Sequence, residues 1–427
     1  MYYWLNVIRK RDNGAQGVGV RGLRKAAYMS DPTTPGSTND PLVEMGWRKI
    51  WWAERHMRLL KRLRDEFKRT QPFAGLTIGM CIHVEPKTAV LCMVLRAGGT
   101  QLVITGSPGT TKDDVAAALR SSGVTVLGRE SETGAEHLDN IREVLTHQPT
   151  LLLDNGADLV ATYLAQGGEG VIAGTEETTT GANRLRADYQ DAVSFPIIVI
   201  NDSPLKLIME NEHGVGPSVI EGFMRETNLL VQSRRFVVFG YGSVGRGIAR
   251  RLRLLGGHVA VVEPDPIRAL EAVLDGMRVL PLAEALGAGE VFFTATGRPG
   301  VIAGDSFDHL PDGAILANAG HFSWEIDLAE LSRRAVEVES FRDRVEVYTL
   351  ADGRQITLLA QGEMLNLAGG SGNPVETMDI GFSLQARSLA YLAAQHANLP
   401  HGPQPVPAEI NAQVAREMVE TLTHVPQ

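Results

Sequence analysis

Apolar positions in residues 45–69 recur at steps of three and four, in the stretch MGWRKIWWAERHMRLLKRLRDEFKR. This spacing predicts one long amphipathic helix with a basic outer face. Between about residues 75 and 200, short β-branched runs such as TQLVITG, TLLLDNG and FPIIVIN alternate with helical stretches such as TKDDVAAALRSSG. Alternation of this kind predicts a parallel sheet covered by helices.

A second alternating series begins at RRFVVFGYGSVGRGIARRLRLLG and continues through HVAVVEPDP and GEVFFTATG to RQITLLAQG. The tail from about residue 375 has a helical pattern that is able to cross back onto the first series. Residues 1–40 are basic and then rich in Pro, Ser, Thr and Gly, which is typical of a flexible arm. Met29 is an alternative start of translation. In that case residues 1–28 come from read-through of the sequence upstream of the true start.

Length, charge and cysteine content narrow the function classes. A chain of 427 residues is expected to form two or three domains. The net charge of −9 makes nucleic acid and anionic membranes poor partners. Cys81 and Cys92 are too few for a disulfide framework and lack metal-ligand spacing, so we expect a cytoplasmic protein without a metal site. No signal peptide and no run of about 18 apolar residues is found.

The loop FGYGSVGRG at residues 239–247 has the Gly-x-Gly-x-x-Gly pattern of a dinucleotide site. Gly240, Gly242 and Gly245 permit a tight turn, close approach of a pyrophosphate and close helix packing. The helix from Ser243 directs its N-terminus at the phosphates. Glu263 ends the next strand, 18 residues after Gly245, where a carboxylate binds ribose hydroxyls and repels a 2′-phosphate. The pattern therefore favours NAD over NADP, with a purely structural glycine turn as the alternative.

Five further strings occur in one known arrangement: IHVEPKTAVL, GTEETTTGANRL, VINDSPLKLIMEN, NAGHFSWEID and LLAQGEMLNLAGGSGNP. Together with the glycine loop they resemble the S-adenosyl-L-homocysteine hydrolase family, in its prokaryotic short form, over roughly residues 45–415. Members of that family hold NAD tightly and oxidise the 3′-hydroxyl of a nucleoside to a ketone, which acidifies the 4′ hydrogen. The 5′ substituent then leaves, water adds to the 4′,5′ alkene, and the ketone is reduced again.

The resemblance completes the predicted architecture. The fold class is α/β, with two doubly wound parallel-sheet domains, the second a Rossmann NAD-binding domain, and a C-terminal helical segment returning to the first. The predicted divisions are a flexible N-terminal arm at 1–40, a substrate (nucleoside) domain at 41–222, a Rossmann NAD-binding domain at 223–374 and a C-terminal helical segment at 375–427 that packs on the substrate domain.

The resemblance also assigns roles to single residues. Lys206 matches the family base beside the 3′-hydroxyl, and we expect burial near the positive nicotinamide to lower its pKa. Glu177 matches the carboxylate that binds ribose hydroxyls, Glu210 stands where the family usually has Asp, and His83 matches a histidine near the 5′ leaving group. A surface lysine and a structural histidine are the alternatives. The catalytic set is Lys206, His83, Glu177, Glu210, Asn155 and His321.

Positions that match the family motifs also predict a substrate-binding set and a cofactor-binding set. For the run of threonines in the cofactor-binding set, the alternative is an ordinary β-strand. Glu85 and Lys87 occupy base-recognition positions where many members have Thr and Glu, so adenine is not assured. The substrate-binding set is Glu85, Lys87, Thr88, Asn373 and Met378. The cofactor-binding set is Thr178, Thr179, Thr180, Asn211, Gly240, Gly242, Ser243, Val244, Gly245, Glu263, Thr296, Gly297, Ala319, Gly320 and Asn366.

The sequence departs from the family pattern at the proton-handling positions. Asn155 stands where the family has a second aspartate, and Asn373 stands where it has a histidine against the 5′ side. An amide does not exchange a proton at neutral pH. Val215 replaces a cysteine of many members. The chain stops at THVPQ, before the family tail whose lysine and tyrosine reach a neighbouring subunit's NAD, so looser cofactor retention is expected.

Three functions are compatible with this pattern. The favoured hypothesis is a nucleoside dehydratase, a lyase of nucleoside antibiotic biosynthesis that oxidises, expels a 5′ group and reduces without adding water back. The second is an orthodox S-adenosyl- or S-inosyl-L-homocysteine hydrolase of one-carbon metabolism. The third is an inactive NAD-binding regulator. By analogy with the family we expect a homo-oligomer, a tetramer or else a dimer, acting on a small-molecule nucleoside whose base and sugar the sequence leaves open.

Overall fold

The computed structural model describes residues 40–107, 109–320 and 323–423, so nearly all of the predicted N-terminal arm lies outside the described residues. Two helices come first, α1 (Pro41–His56) and α2 (Arg58–Thr70). The prediction of one long helix is wrong here, because the backbone leaves the helical region at Met57. The carboxylate of Asp379 accepts hydrogen bonds from Leu59 N and Leu60 N, at 2.8 and 2.9 Å, and so supplies the missing cap of α2.

The first alternating series forms a parallel sheet. Its strands are almost wholly buried, as expected when helices cover both faces of a sheet. The strand order is β3-β2-β1-β4-β5-β6, which is doubly wound. The strands are β1 (Thr77–Cys81), β2 (Gln101–Thr105), β3 (Thr125–Val126), β4 (Leu151–Asp154), β5 (Ala173–Glu176) and β6 (Pro196–Val199). The helices between them are α3 (Pro86–Ala97), α4 (Asp113–Ser121), α5 (Gly134–Thr146), α6 (Asp158–Ala165) and α7 (Thr179–Arg184).

A ten-residue π-helix, Lys206–Val215, and then α8 (Gly216–Thr227) lead to the second sheet. A π-helix is rare and often marks a functional site. The strands of the second sheet are β7 (Arg235–Phe239), β8 (His258–Val262), β9 (Arg278–Val279), β10 (Val291–Thr294), β11 (Ala314–Asn318), β12 (Ala335–Arg342), β13 (Val345–Leu350) and β14 (Gln355–Leu359). The helices that follow α8 in this part are α9 (Ser243–Leu254), α10 (Pro266–Leu274), α11 (Leu282–Ala288), α12 (Leu328–Arg334) and α13 (Leu365–Ala368).

The second sheet has the Rossmann order β9-β8-β7-β10-β11-β14, and these six strands run parallel. Beyond β14 the sheet continues with β13 and β12, which pair antiparallel. The α/β fold class with a Rossmann domain is therefore confirmed. The antiparallel extension was not part of the sequence prediction.

The C-terminal part returns to the first sheet, as predicted. Helix α14 (Val375–Gln395) packs on α2, α3 and the π-helix, and its Leu384 and Leu389 share a core with Ile78. A strand, β15 (Gly402–Pro405), then pairs parallel with β6, and α15 (Ala408–Thr423) closes the described chain. The domain boundaries near residues 222 and 374 stay predictions. Among the described residues, no helix has the length and apolar character that crossing a membrane requires.

Candidate functional site

Four neighbouring strands of the first sheet bring the predicted catalytic residues to one edge. The strand order β6-β5-β4-β1 is all parallel, so the segments after these strands meet at a common carboxyl edge. Lys206 follows β6, Glu177 follows β5, Asn155 follows β4 and His83 follows β1. The sheet changes winding direction between β1 and β4, which is where ligands bind in open α/β sheets.

Lys206 is the centre of a buried ionic cluster. Its Nζ donates to Glu177 Oε1 at 2.7 Å and to Glu210 Oε1 at 2.6 Å. The Lys206 side chain is only 4% exposed. Gln385, on α14, donates to the other oxygen of Glu177 at 2.6 Å. Glu210 Oε2 is buried with no hydrogen-bond partner among the described atoms, so this carboxylate still has an oxygen available for a ligand.

The cluster changes the expected protonation of the lysine. Burial lowers the pKa of Lys206, but the charges of Glu177 and Glu210 and their hydrogen bonds outweigh burial and hold the pKa well above its usual value. The sequence-based expectation of a lowered pKa is wrong for the protein alone, because it did not include two carboxylates in contact. Burial raises the pKa of Glu177 to about 7, against the opposing charge of Lys206. Glu177 therefore takes up a proton more readily than an exposed glutamate does.

Asn155 lies on a loop held by two buried carboxylates. Asp154 Oδ1 accepts from Asn155 N at 2.9 Å, and Glu176 accepts from Gly156 N and Ala157 N, both at 3.0 Å. Burial first, and then neighbouring charge, raises the pKa of Asp154 to about 7 and that of Glu176 to about 8. Asn155 Oδ1 is buried and has no hydrogen-bond partner in the described structure. The backbone of the loop is therefore firmly held, and its Asn155 side chain is an amide that does not titrate.

His83 is half-buried at the end of the β1 segment. Burial, together with the positive charges of Lys87 and Lys206, lowers its pKa to about 4. The imidazole is therefore neutral at physiological pH.

The predicted base-side residues lie against a loop from the far end of the chain. Lys87 Nζ donates to the carbonyls of Ser371 and Asn373, at 3.1 and 2.9 Å, and pairs with Glu85 at 3.1 Å. Thr88 is buried, and its Oγ1 has no hydrogen-bond partner among the described residues.

The Asn373 side chain is also fixed. Its Oδ1 accepts from Asn366 Nδ2 at 3.2 Å and from Ser218 Oγ at 3.4 Å, and its Nδ2 lies 3.6 Å from Met378 Sδ. Met378 is buried. The structure thus places Asn373, Asn366 and Met378 together.

The glycine loop after β7 has the shape of a pyrophosphate cradle. A Cβ at Gly245 would lie 2.0 Å from Gly240 O, and Gly240 has a φ of +93°. A Cβ at Gly242 would meet nothing closer than 3.8 Å, so the backbone there faces open space. Ser243 begins α9, and Val244 is half-buried behind it. These are the conditions under which a phosphate approaches a helix N-terminus.

Glu263 ends β8 beside this loop. Its two carboxylate oxygens accept from Tyr241 N at 2.7 Å and from Asp265 N at 2.9 Å. Each carboxylate oxygen has a further lone pair, so ribose hydroxyls can bind to the same oriented group.

The opposite wall of the cradle is built around Glu325. This buried carboxylate accepts from Thr296 N, Thr296 Oγ1 and Gly297 N, at 2.9, 2.8 and 2.9 Å. A Cβ at Gly320 would lie 1.8 Å from Glu325 Oε1, so only glycine fits there. Ala319 is buried next to it. Burial raises the pKa of Glu325, and these hydrogen bonds oppose that rise.

Comparison with known proteins agrees with this geometry. Residues 211–372 match the model of the S-adenosyl-L-homocysteine hydrolase NAD binding domain, and residues 39–172 match that of S-adenosyl-L-homocysteine hydrolase. An S-inosyl-L-homocysteine hydrolase of Methanopyrus kandleri is 45% identical over 90% of this chain and 92% of its own length. The chain belongs to the S-adenosyl-L-homocysteine hydrolase family. Adenosylhomocysteinases of Saccharolobus solfataricus and Archaeoglobus fulgidus are 42% and 43% identical, over 89% and 88% of this chain and 93% and 94% of theirs.

Family membership makes the chain an NAD-dependent enzyme of the hydrolase class, and the cradle described above fits that cofactor. Two further predicted cofactor residues of this family member are Asn211 and Asn366. Asn211 Nδ2 donates to Ser243 Oγ at 3.2 Å, which joins the π-helix to the glycine loop. Asn366 Oδ1 is buried without a partner among the described atoms.

The threonine run of this family member is not a strand. Thr178 Oγ1 accepts from Gly181 N and so caps α7, and it donates to Glu176. Thr179 is exposed and Thr180 is half-buried. His321 lies outside the described residues.

Sequence reasoning missed several residues that organise the site of this hydrolase-family chain. Glu176 could have been found from the sequence, because it is a charged residue at the end of a buried strand and directly precedes Glu177. Glu325 lies within the quoted string NAGHFSWEID, but its role depends on a loop 28 residues away. Gln385 gave no local signal, because it reaches Glu177 from 208 residues further along the chain.

Proposed function

We propose that this enzyme oxidises a nucleoside at C3′, removes the 4′ proton, expels the 5′ substituent and reduces the ketone before water adds at C5′. This makes it a nucleoside dehydratase when the 5′ group is a hydroxyl. The observation that carries the proposal is the intact Lys206–Glu177–Glu210 cluster, together with the amides Asn155 and Asn373 at two positions where the family pattern has titratable groups.

The cluster supports the redox half of the reaction. Bound NAD supplies a hydride acceptor for C3′ and later returns the hydride. The hydroxyl proton passes to the cluster, where Glu177, with a pKa of about 7, accepts it while Lys206 stabilises the developing charge on the 3′ oxygen. The free oxygen of Glu210 is a further acceptor for a ribose hydroxyl.

The amides bear on the elimination half. The C4′ proton passes to the neutral imidazole of His83, which leaves a carbanion stabilised by the 3′ ketone. The C5′–O bond then breaks with its electron pair on the oxygen, which takes the proton from His83 and departs as water. Asn155 and Asn373 hydrogen-bond the leaving oxygen without taking a proton from an incoming water. General acid–base groups contribute about a hundred- to ten-thousand-fold each, so hydration is strongly slowed. Loss of water and addition of water share one transition state, so both steps are slowed and slow overall turnover is expected. We also expect hydride return to the ketone to be faster than hydration of the alkene.

A second candidate is an orthodox thioether hydrolase. The 45% identity to an S-inosyl-L-homocysteine hydrolase favours it. In this case the 5′ substituent is homocysteine, and water adds after it leaves.

A product scan by mass spectrometry distinguishes the two. The NAD-loaded enzyme is incubated in heavy water with S-adenosyl-L-homocysteine, S-inosyl-L-homocysteine and a panel of nucleosides. A nucleoside lighter by one water supports the dehydratase. Release of homocysteine together with an intact nucleoside makes the enzyme an orthodox hydrolase. Deuterium at C4′ alone shows a working oxidation half whose substrate lies outside the panel, and no change in any compound contradicts both proposals.

A further inference from the structure

A cavity lies at the amino edge of the second sheet. Its volume of about 470 Å³ is within the range of about 300–1,000 Å³ that is usual for small-molecule sites. It opens where β7, β8 and β9 begin, beside the end of α9. The glycine loop follows the other end of β7, about 13 Å away at about 3.3 Å per residue. The cavity is therefore separate from the NAD cradle and from the catalytic residues of the first sheet.

The ionisable side chains that line the cavity are all basic. Arg235, His258 and Arg278 are the first residues of β7, β8 and β9, and Arg253 lies in the last turn of α9. Within the part of the chain that the structure describes, no aspartate or glutamate lines this cavity. The whole chain has a net charge of −9, so the concentration of positive charge is local. A cleft lined by one sign of charge attracts counter-ions.

Glu290 contacts one of these arginines but leaves its side chain available. A Glu290 carboxylate oxygen accepts from Arg235 N at 2.9 Å but lies 3.9 Å from Arg235 Nη2, which is beyond hydrogen-bond distance. The Arg235 side chain is 62% exposed. Among the residues that the structure describes, none accepts a hydrogen bond from the guanidinium of Arg278. Both guanidinium groups can therefore donate to an anion in the cavity.

Arg253 is positioned by a carbonyl group and not by a carboxylate. Its Nη1 donates to Asp275 O. The carboxylate of Asp275 instead accepts from Tyr241 Oη at 2.6 Å and from Arg250 Nη2 at 2.8 Å. Gly276 has a φ of +76°, and an added Cβ there would lie 2.8 Å from the Arg253 guanidinium, so glycine permits this close approach. The charge of Arg253 is held in place without being neutralised by its neighbour.

The uncharged lining of the cavity is mostly apolar. Phe236, Ala260 and Met277 lie there and are buried. A Cβ at Gly257 would lie 2.9 Å from the Phe236 ring, so the absence of a side chain keeps that position open. A ligand that matches both parts of the lining has several negative charges at one end and a flat, weakly polar group at the other.

We propose that this cavity binds a nucleoside triphosphate, with its phosphates on the arginines and its base on the apolar floor. Guanidinium groups bind phosphate oxygens through paired N–H donors. Three arginines from β7, α9 and β9 around one cavity match a chain of phosphates better than a single carboxylate. The site goes beyond the proposed function and does not depend on it, because it lies at the opposite edge of the sheet from the NAD cradle.

Calorimetric titration of the full NAD-loaded protein with ATP tests this site without any turnover. One ATP is expected to bind per chain. Arg278→Gln and Arg253→Gln are each expected to raise the Kd roughly tenfold or more, because each removes a charged hydrogen-bond donor. Both side chains are exposed, so neither substitution disturbs the core. Arg416→Gln, at an exposed position of α15, is the matched control and is expected to bind ATP like the wild type.

Inorganic triphosphate and the NAD content separate the alternatives. Triphosphate is expected to bind more weakly than ATP, because it leaves the apolar floor uncovered, and equal affinities would overturn the assignment of a nucleotide. Release of NAD in step with ATP binding would place ATP in the glycine cradle and overturn the proposal. The proposal also fails if millimolar ATP gives no binding to the wild type, or if Arg278→Gln and Arg253→Gln bind ATP as tightly as Arg416→Gln does.

Discussion

Replacing Lys206 by methionine tests whether the buried cluster is ionised. The substitution leaves Glu177 and Glu210, each within 2.7 Å of the present ammonium group, without their cation. Breaking a buried ion pair by removing one partner costs about 3–5 kcal/mol. An exposed pair contributes about 0–1 kcal/mol, and Lys112 with Glu130, 41% and 44% exposed, provides the matched control.

The pH dependence gives the sign of the effect. The charge of Lys206 lowers the pKa of Glu177, so its removal raises that pKa further above its present value of about 7. A carboxyl whose pKa is raised by folding destabilises the folded state when it is ionised, so the cost of Lys206→Met is largest above neutral pH. The cost falls as the pH drops and Glu177 becomes protonated.

Urea denaturation at pH 8 and pH 6 measures this difference. We expect Lys206→Met to unfold at clearly lower urea than the wild-type protein at pH 8, with a smaller gap at pH 6, while Lys112→Met follows the wild type at both. Equal midpoints for Lys206→Met and Lys112→Met at pH 8 would refute an ionised, mutually stabilising cluster.

Three further predictions concern proton handling and the cofactor. Asn155→Asp is expected to raise the rate of water addition about 10²- to 10⁴-fold, measured as incorporation of solvent oxygen, and the gain is expected to grow with pH because the new carboxylate is buried. An unchanged rate of water addition would show that Asn155 does not limit that step. Gly245→Ala puts a Cβ 2.0 Å from a backbone oxygen, so the purified protein is expected to lose most of its NAD, whereas Gly287→Ala, with open space around its Cβ, retains it; equal NAD content would argue against the cradle. Glu325→Gln is expected to weaken NAD binding about tenfold, and wild-type NAD binding is expected to weaken at low pH as the carboxyl that holds Thr296 is protonated. Calorimetric titration showing no change in either case would exclude that role.

The sequence predicted the scaffold because the signals are local. Buried parallel strands such as β4 read as continuous apolar runs, and the residue that follows each strand is then placed at the carboxyl edge by the parallel topology alone. Lys206, Glu177, Asn155 and His83 were assigned from the family resemblance, and the parallel topology of the strands explains why they follow strand ends at one edge of the sheet. The glycine loop was equally readable, since positive φ and close backbone contact require glycine.

The parts that sequence could not supply depend on contacts between distant segments. Gln385 reaches Glu177, Asp379 caps α2, and Lys87 binds the carbonyls of residues 371 and 373, all across more than 200 residues. In the protein without NAD the pKa of Lys206 is raised and not lowered, because two carboxylates that the local pattern did not reveal contact its ammonium group. The local sequence pattern predicts which residues are buried, but it does not predict which charged side chains contact one another across the fold.

The most direct test of the central claim follows the oxygen at C5′. The NAD-loaded enzyme is given a nucleoside with a 5′-hydroxyl in water labelled with heavy oxygen, and the products are analysed by mass spectrometry. If the enzyme reduces the ketone before water adds, the product has lost its 5′ oxygen and carries a 4′,5′ alkene, with no label incorporated. A nucleoside of unchanged composition that carries the heavy oxygen at C5′ would show that water adds back as fast as it leaves, and would contradict the account.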